Sequence, residues 1–342
     1  MEYSKYKVCV RCFTFNQAKF IEETMNGFVM QQTNFPFICC IVDDASTDGE
    51  QNVIKKYMKS NFAISDSSIA YEKETDYAHI IFAQHVDNPN CFFVALLLKE
   101  NLYSKNENFR KYDYISEWRD LCEYESICEG DDYWIDCHKL EKQAAFLDTH
   151  SDYGLIHTDF DLVDKTRTHY MEKFPDGVYF PYILFKSGIQ IQTLTVMYRL
   201  SIYKKLPKYF MNKSWLMTDK PLWIEFSKYS KIKYLKEVTA KYRLLDSSAS
   251  HSSDINKLIS FKECGREINN FYAKKFFVQL KDEGFSSDYY DGILKYAYRL
   301  TSKHIATKYF FKAIIEYKLT IKGFVFYVGT IFPFLKKIIG YH

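Results

Sequence analysis

The order of strands and helices at the beginning of the chain constrains the fold more than any other feature. Residues 7–13 and 35–42 have the apolar patterns of strands, and residues 20–29 place their apolar side chains on one face of a helix. Thr47 and Glu50 have capping-box spacing, which predicts that a second helix begins there. Such an order implies parallel strands joined by right-handed crossovers. The sequence therefore predicts a doubly wound α/β sheet.

Later segments extend this pattern less regularly. Residues 92–98 form a continuous apolar run, which is typical of a central parallel strand. Residues 77–83 suggest a helix, and residues 101–118 are expected to form a long loop. Further predicted elements are a strand at 124–128, a helix at 139–150, a strand at 154–158, a helix with Pro221 at its first position, and a strand pair at 231–235 and 238–244.

The predicted strand at residues 124–128 is followed directly by Glu129, Gly130, Asp131 and Asp132. In an open α/β sheet, ligands bind in the crevice beyond the carboxyl ends of the strands. Adjacent carboxylates repel one another unless a cation lies between them, and a hard divalent cation such as Mg²⁺ or Mn²⁺ would bring substrate phosphates with it. The alternative is an acidic turn that binds no ligand.

A second pair of carboxylates, Asp43 and Asp44, stands at the end of the strand at residues 35–42. A carboxylate only accepts hydrogen bonds, so it suits an imino N–H of a base or a ribose hydroxyl. The alternative role is capping of the next helix. Because Thr47 or Asp48 can supply that cap instead, the sequence favours a ligand role for Asp44.

Composition and charge exclude several classes of protein. The 342 residues carry a net charge of +3, which is too small to indicate a nucleic-acid partner. The nine cysteines show no paired C-x-x-C pattern, which indicates free thiols in a reducing compartment, here the cytoplasm. We expect no secretory signal and no membrane-spanning helix, since a span needs roughly 20 apolar residues. The length indicates one large domain with an appendage.

Three motifs together resemble those of a known family. Residues 14–16 (TFN), 42–49 (VDDASTDG) and 129–134 (EGDDYW) are similar, in order and spacing, to the nucleotide and metal motifs of the family 2 glycosyltransferases. The resemblance implies a GT-A fold at residues 1–253, that is, a doubly wound, mixed and mostly parallel sheet flanked by helices. Residues 254–342 would form a C-terminal helical extension.

The resemblance also implies a reaction. It implies transfer of a sugar from a nucleotide-diphosphate-sugar, with a UDP-sugar favoured, to a hydroxyl of a glycan acceptor, with inversion at the anomeric carbon. Mn²⁺ or Mg²⁺ on the diphosphate is the implied cofactor. Surface polysaccharide assembly is the expected setting, with a lipid-linked glycan among the candidate acceptors. The Q-x-x-R-W motif of processive synthases is absent, which indicates transfer of a single sugar.

By position, the resemblance assigns roles to individual residues. Asp131 and Asp132 correspond to the carboxylates that meet the metal and the ribose-diphosphate. Glu129 stands where the family commonly has aspartate, so its role stays open, as does that of Trp134. The residues expected to contact the donor nucleotide are Thr14, Phe15, Asn16, Asp44 and Asp131.

A catalytic carboxylate is implied at Asp219. A sugar hydroxyl is a poor nucleophile, so a positioned carboxylate must take its proton as the new bond forms. The alternative is that Asp219 caps the helix at Pro221. Arg243 and His251 are similar to a family loop near the diphosphate and are candidates for neutralising it; the alternative for both is an ordinary strand-end surface.

The carboxyl-terminal residues combine aromatic and basic side chains. After Glu316 the chain has no acidic residue, and lysines flank the apolar run at residues 323–335. That run is too short to span a bilayer, and its glycines and proline disfavour a long helix. It suits the headgroup region of an anionic membrane at the cytoplasmic face. The alternative is that its aromatic residues pack on the catalytic domain.

Two other functions are open alternatives. A nucleotidyltransferase would use the same sheet and metal, although it normally has a glycine-rich basic loop after the first strand, which residues 14–16 lack. A non-catalytic relative that binds sugar nucleotides would need no base at Asp219.

Overall fold

The computed structural model of the protein describes residues 5–67, 69–163, 177, 179–180, 191–245, 254–278, 282–316 and 318–335. Its strands are β1 (Val8–Thr14), β2 (Phe37–Asp43), β3 (Ala70–Glu74), β4 (Ala78–Gln84), β5 (Cys91–Leu98), β6 (Tyr124–Ile127), β7 (Tyr133–Trp134), β8 (Tyr153–Leu162), β9 (Met197–Arg199) and β10 (Lys231–Tyr242). Its helices are α1 (Ile21–Val29), α2 (Glu50–Asn61), α3 (Arg110–Tyr114), α4 (Ser116–Arg119), α5 (Lys139–Thr149), α6 (Leu200–Tyr203), α7 (Asp219–Tyr229), α8 (Ile255–Lys275), α9 (Asp282–Arg299), α10 (Lys303–Ile315) and α11 (Ile321–Ile331).

The ten strands of the described chain form one mixed sheet in the order β3-β4-β5-β2-β1-β6-β9-β8-β10-β7. The long ladders between β5, β2, β1 and β6, and between β8 and β10, are parallel, whereas the remaining pairs are antiparallel. Central parallel strands are covered on both faces, which is why β2 and β5 are apolar nearly throughout. The predicted doubly wound, mixed and mostly parallel sheet flanked by helices is confirmed.

Helix α1 packs closely against β7 at Gly27. A Cβ atom at Gly27 would lie 2.9 Å from the backbone nitrogen of Trp134, so only glycine allows this approach. The Phe28 and Trp134 rings meet edge to face with centroids 5.0 Å apart. Trp134 Nε1 donates a hydrogen bond of 2.8 Å to the carbonyl oxygen of Leu194. Trp134 is therefore a core residue that holds α1 beside the acidic stretch at residues 129–132.

The chain forms two compact units, and the described residues of the second lie in helices and loops. This unit takes in Asn212–Ile224 and the described residues from Leu244 onward, so the two units interleave along the chain. The domain boundary expected at residue 253 stays a prediction. The core of the second unit includes Tyr290, Leu294, Tyr309 and Phe326, from α9, α10 and α11.

Helix α11 has one packed face and one exposed face. Gly323 and Gly329 lie on the packed face, and a Cβ atom at Gly323 would be 3.2 Å from Leu294 Cδ1. Gly323 therefore permits close packing on α9, and the two glycines do not prevent an 11-residue helix. No helix in the described part of the chain is long and apolar enough to cross a membrane.

The predicted helix at residues 77–83 is wrong, because this segment forms strand β4. Ile80, Ile81 and Phe82 are residue types that suit strands, and their backbone pairs with both β3 and β5. Long-range pairing with β5 thus decides the structure of a segment whose own apolar pattern is ambiguous.

Two further predictions need correction in part. One continuous strand, β10, replaces the predicted strand pair, because register shifts at Leu235 and Val238 keep it paired with β8. Residues 101–118 include the short helices α3 and α4 and so are more than a loop.

Lys139 is a fully buried amine in α5. Its Nζ donates hydrogen bonds to Ser126 Oγ (3.2 Å) and Gln143 Oε1 (2.7 Å), and burial lowers its pKa from 10.5 to about 7. Between these two values the unfolded chain binds more protons than the folded chain. Stability should therefore rise with pH across this window, by up to about 1.4 kcal/mol per pH unit.

We expect Lys139→Met to remove this contribution to the pH dependence of stability. The free energy of unfolding, measured with urea at pH 7, 8 and 9, should rise less steeply in the variant than in the wild type. Lys142→Met is the matched control, because Lys142 lies on the same helix with 38% of its side chain exposed. An unchanged pH dependence in Lys139→Met would show that the buried amine keeps an ordinary pKa.

Candidate functional site

The carboxyl ends of β1, β2 and β6 lie side by side at one edge of the sheet. Thr14 pairs with Asp43 in the parallel register of β1 and β2, and β6 flanks β1 on its other side. Glu129 follows two residues after the end of β6. The three sequence motifs therefore meet at one place in the fold.

Glu50 joins the loops after β1 and β2. Its buried carboxylate accepts a short hydrogen bond from Thr14 Oγ1, one of 2.8 Å from Gln17 N, and one of 2.9 Å from Ser46 Oγ. Burial raises the pKa of Glu50, and the three donors oppose that rise. The predicted capping box is wrong, because Gly49, at φ 94°, precedes the helix and the Glu50 carboxylate is engaged between the loops.

Asn16 bridges the same two loops. It has a φ of 55°, its backbone N–H donates to Ser46 Oγ (2.8 Å), and its Oδ1 accepts from Thr47 N (2.8 Å). The neighbouring Phe15 side chain is 44% exposed. Phe15 and Asn16 are thus both accessible to a ligand, whereas Thr14 is buried, and Asn16 also shapes the loop.

Asp44 is fully buried and fastens the segment after β5. Its Oδ1 accepts from Leu102 N (2.8 Å), and its Oδ2 accepts from Tyr103 N (3.1 Å) and pairs with Lys111 Nζ at 2.7 Å. Burial lowers the pKa of Lys111, and the Asp44 carboxylate opposes that shift. Lys111 lies far from Asp44 in the sequence and carries no motif, so sequence reasoning missed it.

Asp43 differs from Asp44 in having an oxygen without a partner. Its Oδ1 accepts from Ser46 N (3.0 Å) and Gln51 Nε2 (2.6 Å). Its Oδ2 is buried and has no hydrogen-bond partner among the residues that the structure describes. Neither Asp43 nor Asp44 caps α2. The backbone N–H of Glu50, the first residue of that helix, donates instead to Asp48 Oδ1 at 3.1 Å.

Gly130 lets the acidic stretch pass directly against β1. A Cβ atom on Gly130 would lie 2.6 Å from Thr14 Cβ, so a side chain at this position would force the two strand ends apart. Thr24 Oγ1 of α1 contacts the carbonyl oxygens of Gly130 (2.9 Å) and Asp132 (2.6 Å) and holds the turn from the other side.

The three acidic residues of this stretch lie in a poorly solvated environment. Burial raises the pKa of Glu129, Asp131 and Asp132, and the charge of Asp131 raises that of Asp132 further. Asp132 Oδ1 accepts the backbone N–H of Arg243 at 2.8 Å. Glu129 Oε2 accepts from Thr193 Oγ1 at 2.7 Å.

Arg243 lies beneath this stretch and is nearly buried. Its guanidinium pairs with Glu23 and donates to the carbonyl oxygen of Asp131. It also lies over the rings of Phe20 and Tyr133, 4.7 Å from each centroid. Arg243 is thus a fixed cation beside the acidic stretch.

Asp131 and Asp132 fit a divalent cation that is shared with a diphosphate. No three His, Cys, Asp or Glu side chains of the described residues form a complete metal site. Mg²⁺ needs no such cage, since it is usually held by one or two carboxylates together with substrate phosphates and water. A cation beside these carboxyl groups would also offset the burial that raises their pKa values.

Asp219 belongs to the second compact unit. It is the first residue of α7, and burial raises its pKa, an effect that the backbone N–H of Lys220 opposes. The helix begins two residues before the predicted first position at Pro221. His251 lies outside the described residues.

One family model matches a part of the chain. Residues 10–74 match the family model described as glycosyl transferase family 2. The curated proteins Rv1520 of Mycobacterium tuberculosis and Mb1547 of Mycobacterium bovis, both uncharacterized, are each 33% identical over 137 residues. The alignment covers 40% of this chain and 30% of each relative, so the chain spans under a third of their length.

Two solved structures resemble the chain weakly. Staphylococcus aureus TarS with UDP-GlcNAc is 15% identical at a TM-score of 0.48, with 97% of this chain and 92% of that chain covered. The mannosyltransferase PcManGT of Pyrobaculum calidifontis, in complex with GDP-Man and Mn²⁺, is 11% identical at a TM-score of 0.47, with 98% and 86% covered. These scores are too low to support an argument about this chain.

The family match covers both loops that Glu50 and Asn16 join, and these loops carry two of the three motifs found in the sequence. Residues 10–74 therefore carry the likeness to glycosyl transferase family 2 that the motifs predicted.

Proposed function

We propose that this protein is an inverting, metal-dependent and non-processive glycosyltransferase. It transfers one sugar from a nucleotide-diphosphate-sugar, with UDP-sugars favoured, to a hydroxyl of a glycan acceptor in surface polysaccharide assembly. The observation that carries this proposal is the meeting of the family 2 loops with the acidic stretch around Thr14 and Gly130. No feature of the described residues favours the nucleotidyltransferase alternative.

The donor nucleotide would bind at the loops after β1 and β2. The exposed Phe15 ring offers a face on which a base can stack. Asp44 is proposed to accept an N–H of the base, which requires that the segment at residues 102–111 moves, since this segment covers the carboxylate. The unpartnered Oδ2 of Asp43 is the neighbouring acceptor.

The diphosphate would lie at the acidic stretch. Asp131 and Asp132 would hold Mn²⁺ or Mg²⁺, which when bound supplies Lewis-acid stabilisation of the leaving nucleoside diphosphate. Arg243 adds a fixed positive charge on the protein side of the stretch. Because its guanidinium is held by Glu23 and the Asp131 carbonyl, its contribution to phosphate binding is electrostatic and positional. His251 remains a prediction from the sequence.

Asp219 is proposed as the base that takes the proton of the acceptor hydroxyl. Burial raises its pKa, and a carboxylate with a raised pKa accepts a proton more readily while the C–O bond forms. Its place at the start of α7 is equally suited to a helix cap, so the experiment has to separate the two roles.

Asp132→Asn tests the metal site. Asparagine keeps an oxygen for the Arg243 N–H but removes the charge, so Mn²⁺-dependent binding of UDP should weaken roughly 10- to 100-fold. Calorimetry with and without Mn²⁺ measures this, and Asp152→Asn, an exposed aspartate paired with Lys231, is the matched control. Metal-dependent affinity equal to that of the wild type would refute the assignment.

Asp219→Asn tests the base. We expect UDP binding to be retained and slow hydrolysis of a panel of nucleotide sugars with Mn²⁺ to fall by about 100-fold or more. Asp254→Asn is the matched control, since Asp254 caps α8 in the same unit through Asn256 N at 2.8 Å. If Asp219→Asn keeps its turnover and loses only about 1 kcal/mol of stability, Asp219 is a cap.

We further propose that the second unit attaches to an anionic membrane surface. Large apolar side chains are exposed on α10, on α11 and just after it, namely Phe311, Ile314, Ile315, Ile321, Phe324, Phe332 and Phe334. Phe310 lies within 5.7 Å of Phe311 and 6.2 Å of Phe324, centroid to centroid, so the two helices share this surface. Exposed lysines such as Lys312 and Lys322 suit anionic headgroups.

Deleting α11 is a poor test of membrane attachment, because Phe326 is fully buried in the core of the unit. The double substitution Ile321→Ser and Phe324→Ser changes only exposed side chains. It should weaken partition to phosphatidylcholine–phosphatidylglycerol vesicles by about tenfold or more in a sedimentation assay. Phe277→Ser, at a side chain 96% exposed elsewhere in the unit, is the control. Partition unaffected by the double substitution contradicts the proposal.

A further inference from the structure

A cavity of about 180 Å³ lies at the opposite edge of the sheet from the donor site. Tyr6, which lines it, directly precedes β1, and Leu121 lies just before β6. Tyr6 N donates to the carbonyl oxygen of Leu121 at 3.4 Å. The cavity is therefore at the amino ends of the parallel strands, whereas the three motifs meet at their carboxyl ends, and both places belong to the same compact unit.

Stacked aromatic rings form one wall of this cavity. Tyr71 stacks on Phe82 with centroids 5.1 Å apart and an angle of 16° between the planes. Phe82 in turn stacks on Phe92, against which Tyr6 packs edge-on at 5.2 Å. Tyr71 remains 42% exposed and Trp118 lines the same cavity, so a flat apolar face is open to a ligand.

Two charged side chains accompany the rings. Lys5 Nζ lies 5.3 Å from the Tyr6 ring centroid, and the carboxylate-bearing Glu117 also lines the cavity. The Tyr6 hydroxyl is closed to solvent and so offers no contact to a ligand. A hydrogen-bond donor and an acceptor thus flank an aromatic face.

We propose that this cavity binds a neutral pyranose unit of a glycan. The C–H face of a pyranose packs on an aromatic ring, while its hydroxyls both donate to a carboxylate and accept from an ammonium group. A purely apolar ligand would make no hydrogen bond to Lys5 or Glu117, and an anionic ligand would meet the Glu117 carboxylate.

The role of the site rests on the proposed function. A glycan acceptor bound at this edge stays near the protein. Its tethering raises the effective concentration of its reactive end at the donor site, which lies at the other edge of the sheet. Binding itself is measured without donor or metal, so it succeeds or fails independently of glycosyl transfer.

The experiment uses the full chain and the trisaccharides maltotriose, cellotriose and mannotriose as probes. Saturation-transfer NMR should detect at least one of them, and Tyr71→Ala should lower its affinity by tenfold or more in a titration. Tyr229→Ala, at another exposed tyrosine of the same unit, should leave binding unchanged. Absence of binding by all three probes, or equal binding by Tyr71→Ala, overturns the proposal.

Displacement of the trisaccharide by uridine, with loss of that competition in Tyr71→Ala, would show that the cavity is a nucleoside site instead.

Discussion

The approach of Gly130 to Thr14 is the constraint on which the site depends. No Cβ fits between the two strand ends, so the acidic stretch lies directly against the loop that follows β1. Glu50 then ties that loop to the one after β2, and Thr24 holds the turn from α1. Three motifs far apart in the chain thereby become one surface, because parallel strands bring their carboxyl ends to the same edge.

Charge is distributed unevenly around this surface. Asp44 is matched by Lys111 and two backbone N–H groups, so it is electrostatically satisfied in this conformation. Asp131 and Asp132 have raised pKa values, since burial penalises their charged forms, and the charge of Asp131 raises the pKa of Asp132 further. The two acidic strand ends therefore have different roles. One fastens the segment that covers it, and the other is where an added cation would be stabilised.

The helical unit separates packing from exposure along the same helices. Phe326 and Gly323 of α11 pack on α9, whereas Ile321 and Phe324 on the same helix remain exposed. The carboxyl-terminal aromatic residues thus divide into two sets: one set belongs to the core of this unit, and the other set forms an exposed apolar surface. The period of the helix divides the apolar run into these two sets.

Local pattern by itself determined much of this protein. Apolar runs placed β1, β2, β5 and β6, and the acidic and glycine residues at the strand ends marked the site before any contact was known. Tertiary structure alone decided what local pattern leaves ambiguous. Pairing with β5 made residues 78–84 a strand, and Glu50, Lys111 and Arg243 acquired roles through partners 36, 67 and 220 positions away. Secondary-structure propensity depends on a few neighbouring residues. A buried charge needs an oppositely charged or hydrogen-bonding partner, and the fold can bring that partner from any position in the sequence. A local sequence pattern therefore does not reveal which residue the partner is.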